Sequence, residues 1–121
     1  MSLIHLTFKF NGLAEARELR EAAEQKIGSL EKFINTPATG DIEFEKISIH
    51  KHGKCYRVEC TLAVEGKVYR AEETEETFLE ALDEVRDELA EELRRAKDKL
   101  QTVQKRKRRS FKEFFSRFTG S

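Results

Sequence analysis

Two kinds of side chain crowd into residues 105–118, KRKRRSFKEFFSRF. Lys105, Arg106, Lys107, Arg108 and Arg109 form an unbroken cationic run. Such a run neutralises phosphate and gives salt-sensitive, sequence-independent affinity for nucleic acid. Alone it would serve equally well as a solvated tail. Here it prolongs a segment that already carries Arg94, Arg95, Lys97 and Lys99. Phe111, Phe114, Phe115 and Phe118 then follow at i, i+3, i+4 and i+7, one face of a helix. Ser110 with Glu113 makes a capping-box pattern, so a new helix is expected to start there. Three uses are open to the stripe. It can dock in a protein groove, lie on an anionic membrane, or pack on its own domain or on a second copy. Stacking on bases suits this spacing less well.

Other chemistry is poorly served. The acids of EETEE at 72–76 lie where a strand should end and a helix begin, and the helix dipole explains them without catalysis. General acid–base work needs carboxylates in a pocket with displaced pKa values. His50, His52 and Cys55 supply three local metal ligands where structural zinc wants four, so no metal is expected. No glycine-rich phosphate loop and no Ser-His-Asp or Cys-His order stands out. The expectation is a protein without catalytic residues, cofactor or small-molecule substrate.

The chain of 121 residues is formally neutral, with 23 Lys+Arg and 23 Asp+Glu. Neutrality hides a split. Residues 94–121 hold eleven Lys or Arg and two acids, a net of +9, which leaves −9 on the first 93 residues. With a Debye length of about 8 Å at physiological salt, the two poles do not cancel for a partner that touches one of them. No apolar run approaches the roughly 20 residues that span a bilayer. The start, MSLIHLTFKF, alternates and is not expected to be a signal peptide; the expected compartment is the cytoplasm. Cys55 and Cys60 stand five apart in one apparent strand, roughly 17 Å, too far to pair and on opposite faces. Both are expected to be thiols, one of them in the core.

The elements that would position these groups follow from periodicity. Ile4, Leu6, Phe8 and Phe10 alternate with polar residues, a half-buried strand. Asn11 is placed to cap the next helix. Residues 13–34 shift to helical period, and NTPATG at 35–40 reads as a loop. A strand is expected at 42–49, with a phase slip between Phe44 and Ile47 that suggests a bulge. HKHG at 50–53 reads as a hairpin loop. Tyr56, Val58, Cys60, Leu62 and Val64 alternate cleanly, and Glu65-Gly66 turns the chain into a short strand around Val68 to Ala71. Thr77 and Glu80 cap a long helix whose apolar stripe runs from Phe78 to Val103. Its far end is expected to project. The order is β-α-β-β-β-α, an α+β two-layer sandwich with two helices on one face of a four-stranded sheet. The other face would show His5, Thr7, Lys9, Arg57, Glu59 and Thr61.

Three strings in this order resemble the ribosome hibernation-promoting factor and ribosome-associated inhibitor family. They are ELREAAEQKIGSLEKFIN at 18–35, VECTLAVEGKVYRAE at 58–72, and FLEALDEVRDELAEELRRAKDKL at 78–100. The likeness covers residues 4–100 and is closest to the family's short form. It implies a ribosome-binding domain, taken as 1–104, and a basic, aromatic extension, 105–121. It further implies that the partner is the small ribosomal subunit, entered along the mRNA and tRNA channel, and that the protein is no enzyme. On the matching positions Lys26, Lys32, Arg94, Arg95, Lys97 and Lys99 would meet rRNA phosphates. Glu88, Glu91 and Glu92 depart from the pattern, since family members often carry cations mid-helix. No room is expected for the second domain of long members, and 105–121 fits no family pattern. An adaptor working through the tail and a generic double-stranded RNA binder are the rival readings.

Overall fold

The computed structural model describes residues 3–47 and 53–118; at 101, 103, 104 and 107–118 it describes the backbone. The elements are β1 (Ile4–Asn11), α1 (Arg17–Gly28) continued by a 3-10 turn (Ser29–Phe33), β2 (Ala38–Lys46), β3 (Tyr56–Val64), β4 (Lys67–Glu75) and α2 (Phe78–Phe118). The sheet runs β1-β2-β3-β4. β1 and β2 are parallel, so α1 is a crossover; the other pairs are antiparallel. This is the expected βαβββα sandwich.

The helices bury one face of the sheet. Ile42, Phe44, Val58, Cys60 and Leu62 from the strands, Ile27 and Leu30 from the first helical segment, and Leu82, Val85 and Leu89 from α2 are almost wholly excluded from water. Each large apolar side chain so placed contributes about 1.5–3 kcal/mol. Phe10 stacks on Phe44 at 5.3 Å, and Phe78 meets Phe44 and Tyr56 edge-on at 5.6 and 4.8 Å. This aromatic chain joins β1, β2, β3 and the start of α2. The thiols of Cys55 and Cys60 are both buried. Cys55 precedes β3, so strand alternation does not govern it.

Local expectations fail at element ends. Asn11 does not cap α1, which starts after Ala16 with no side-chain cap. Exposed Arg17–Glu21 and Arg20–Glu15 ion pairs at 2.9 and 2.8 Å lie along its first turn. The helix tightens at Ser29, whose hydroxyl donates to the Lys26 carbonyl at 2.6 Å. β2 starts at Ala38, inside the expected loop. Gly40 lies between Leu6 of β1 and Leu62 of β3 in the register. A Cβ there would come within 2.8 Å of Leu6 and 2.6 Å of Leu62, so the glycine makes room for two leucines. There is no bulge near Phe44; the strand ends at Lys46 and the phase slip marks that end. β4 is longer than expected and takes in most of EETEE. The Glu65-Gly66 turn forms with φ of 50° and 77°, the left-handed pair of a type I′ hairpin. Residues 50–52 of the HKHG loop lie outside the described residues.

Thr77 caps α2 as expected, its Oγ1 accepting from the Glu80 amide at 3.1 Å. The 41 residues then span about 60 Å, against about 30 Å for the nine-residue strands. Buried positions on α2 end at Leu93 among the described side chains. The helix passes Ser110 unbroken, so no second helix starts there. The aromatic segment continues α2 rather than folding back on the domain.

Candidate nucleic-acid interface

On the outer face of the sheet the cations are paired with acids. Arg57, a central cation there, is ringed by Glu43 at 2.7 Å, Glu45 at 3.7 Å, Glu59 at 2.5 Å and Glu72 at 2.9 Å. Arg70 shares Glu59 and Glu72, and Lys9 pairs with Glu43. Thr7 donates to Asp41. The guanidinium of Arg57 is held more firmly protonated, first by its hydrogen bond to Glu72. The carboxyl of Glu72 is pulled below its ordinary value by the same bond. Cations on this face are spoken for by acids. The register explains the cluster: Arg57 lies opposite Glu45, with Glu43, Glu59 and Glu72 in reach.

A second acidic group sits where β4 meets α2. Glu73 and Glu75 face Glu84 and Glu88, and Lys54 binds Glu75 at 3.0 Å. Hydrogen bonding to Glu75, then burial, pushes the Glu84 carboxyl up to about 7. This end of the sheet is acidic, and Glu75 within it is held below its ordinary value by Lys54.

The cations expected to meet phosphate divide into three sets. Lys26 ion-pairs with Asp83, tying α1 to α2 beside an Arg86–Ser29 bond of 3.2 Å. Arg94 and Arg95 are exposed and share Glu91 at 2.6 and 3.2 Å. Such exposed pairs are worth about 0–1 kcal/mol, so a phosphate can displace them. Glu91 is thus engaged by its own helix, while Glu88 and Glu92 remain exposed. Lys32, Lys97, Lys99, Lys105 and Arg106 are exposed. Lys32 rests 5.2 Å from the Phe33 ring centre. The side chains of Lys107, Arg108, Arg109, Phe111, Phe114, Phe115 and Phe118 lie outside the described residues.

Lys97 and Lys99 line an open groove of about 400 Å³ where α2 leaves the sheet. Its floor is apolar: Phe33, Ile34, Val64, Tyr69, Leu93, Ala96 and Leu100. Lys67, overlooked in the sequence, joins the rim with its ammonium 5.4 Å from the Tyr69 ring centre. Only the fold brings residues 33–35, 64–69 and 93–100 together. No cluster of metal-binding side chains occurs among the described residues. Nor, among them, is any helix long and apolar enough to cross a membrane.

The chain matches the family model described as Sigma 54 modulation protein / S30EA ribosomal protein over residues 6–101. It belongs to that family. This is a family of ribosome-associated factors, not known as an enzyme family, and it contains the resemblance seen in the three strings. Solved structures share the fold. The crystal structure of the Thermus thermophilus Protein Y N-terminal domain is 18% identical with a TM-score of 0.66, covering 75% of this chain and 97% of that one. A ribosomal subunit interface protein from Coxiella burnetii is 20% identical with a TM-score of 0.63, covering 78% and 98%. No curated protein matches the chain. The family match ends at residue 101, so the cationic run and the phenylalanines fall beyond it.

Proposed function

We propose that the protein is a hibernation-type factor of the cytoplasm that occupies the mRNA–tRNA channel of the small ribosomal subunit. It would block translation by exclusion, with no chemistry. The observation that carries this reading is the family match across nearly the whole sandwich, residues 6–101. The charge distribution supports it: the sheet's central cation is paired with acids, whereas Lys32, Lys97, Lys99, Lys105 and Arg106 are exposed. Phosphates of rRNA would exchange with Glu91 for Arg94 and Arg95, and would meet Lys97, Lys99 and the run Lys105 to Arg109. Lys26 would contribute less, because Asp83 already holds it.

Co-sedimentation with purified small subunits tests the reading. Binding is expected at low salt and to weaken steeply as salt rises. Replacing Lys105, Arg106, Lys107, Arg108 and Arg109 together by glutamine should flatten the log–log salt slope by about 0.7–0.9 for each phosphate that is no longer neutralised. A generic RNA duplex in excess should not compete. Failure to sediment at low salt overturns the proposal, and full competition by the duplex makes the protein a shape-reading RNA binder instead.

A further inference from the structure

The phenylalanine stripe and the apolar floor of the groove are left over from phosphate binding, and they lie on one line. At roughly 100° per residue, positions 103, 111, 114 and 118 return to the face of α2 that carries Leu93, Ala96 and Leu100, and position 115 falls at its edge in line with Lys97. Lys107 interrupts it. That face is covered by the sheet up to Leu93 and opens at the groove, where Leu100 is 55% exposed. From there a strip of apolar positions runs on along a helix with no sheet beneath it.

We propose that the groove and the strip beyond it receive an amphipathic helix of a protein partner whose flanks are acidic. The charges choose the partner. Lys67, Lys97 and Lys99 rim the groove, and Lys97 and Lys99 flank the apolar face on its two sides. Glu65, the acid that lines the groove, already accepts from the Thr36 hydroxyl at 3.3 Å. A second copy of α2 would bring a like-charged end, +9 over residues 94–121, against this one. RNA would satisfy the lysines and leave the apolar positions uncovered. A helix with apolar residues at i, i+3, i+4 and i+7 and glutamates beside them satisfies both, the helix-in-groove mode.

The probe is a fluorescein-labelled model helix of about five turns, leucine at the apolar positions and glutamate at the flanks. Its counterpart carries lysine at the flanks. Anisotropy with the full chain should show the glutamate helix binding at least tenfold more tightly. Leu100→Gln keeps every charge and alters an exposed position, so the fold survives; it should cost at least fivefold. Lys97→Gln with Lys99→Gln should cost a similar factor and leave the melting temperature of the free protein where it was. Binding that ignores Leu100→Gln is mere charge attraction and overturns the proposal. So does concentration-dependent self-association in sedimentation velocity that Leu100→Gln abolishes, which would make the occupant a second copy. Flotation with phosphatidylglycerol vesicles that is lost in Leu100→Gln would assign the strip to a lipid surface and overturn it as well. Ribosome sedimentation of Leu100→Gln should match the parent, so this inference and the ribosomal reading fail separately.

Discussion

From Phe78 to Ala96, α2 has a sheet beneath it; from Lys97 to Phe118 it does not. The first stretch buries Ala81, Leu82, Val85, Leu89 and Leu93 and is rich in acids. The second leaves Leu100 open and carries most of the helix's cations. The same helical period runs through both, yet the sheet buries it in the first, and we propose that a partner covers it in the second. An apolar stripe therefore states where a helix can be covered, not by what. Acids at the start and cations at the end also follow the helix dipole, so the segregation needs no tertiary partner to persist.

The sharpest way to break this comparison is the same substitution in each stretch. Leu89→Ala empties a site with no solvent exposure and should cost about 2–5 kcal/mol. Leu100→Ala should change stability by no more than about 0.5 kcal/mol, because the residue is half exposed and alanine favours helix. Chemical denaturation of both variants checks this. Equal losses would mean that the projecting part is packed on the domain after all.

A smaller effect tests how closely the anchored domain is packed. Gly40→Ala places a methyl within 2.6 Å of Leu62 and 2.8 Å of Leu6. Both neighbours are ends of flexible side chains, so the leucines can yield, and the expected loss is about 1–3 kcal/mol. Leu6→Val added to Gly40→Ala should recover part of it in the same denaturation series. A rise in stability for the single variant would show that the space between the leucines is already free.

The sandwich is legible in the sequence because alternation and helical period are local. β1, β3, the cap at Thr77 and the order of elements all follow from spacing. The run NTPATG misleads because Pro and Gly mark loops statistically, whereas Gly40 answers to leucines on two other strands. Asn11 misleads as a cap because Gly12 through Ala16 intervene before α1 begins. At the site, the exposed cations are visible residue by residue, but the pairing of Lys26 with Asp83 and of Arg57 with four glutamates depends on which elements the fold brings together. The groove is illegible for the same reason: three separated segments build it, and Lys67 has no neighbour in the sequence that marks it.

The acids of the anchored stretch give the smallest effect and fix its sign. The Glu84 carboxyl, hydrogen-bonded to Glu75 and close to Glu73, is pushed up to about 7 from 4.5. Glu73 is raised as well, first by its hydrogen bond to Glu88. A raised carboxyl binds its proton more tightly in the folded protein than in the unfolded chain. Between about 4.5 and 7 the folded state thus holds more protons, and stability from this group falls as pH rises through that window. Glu75 and Glu72, lowered by Lys54 and by Arg57 respectively, act oppositely: their contribution is present above 4.5 and is lost as pH falls through their folded values. Glu84→Gln keeps a donor for Glu75 and removes the titration. Its melting temperature should exceed the parent's at about pH 8 and approach it at about pH 5. An unchanged gap between the two pH values would show that these carboxylates are held apart by solvent, and that the acid-rich stretch of α2 carries no repulsion of its own.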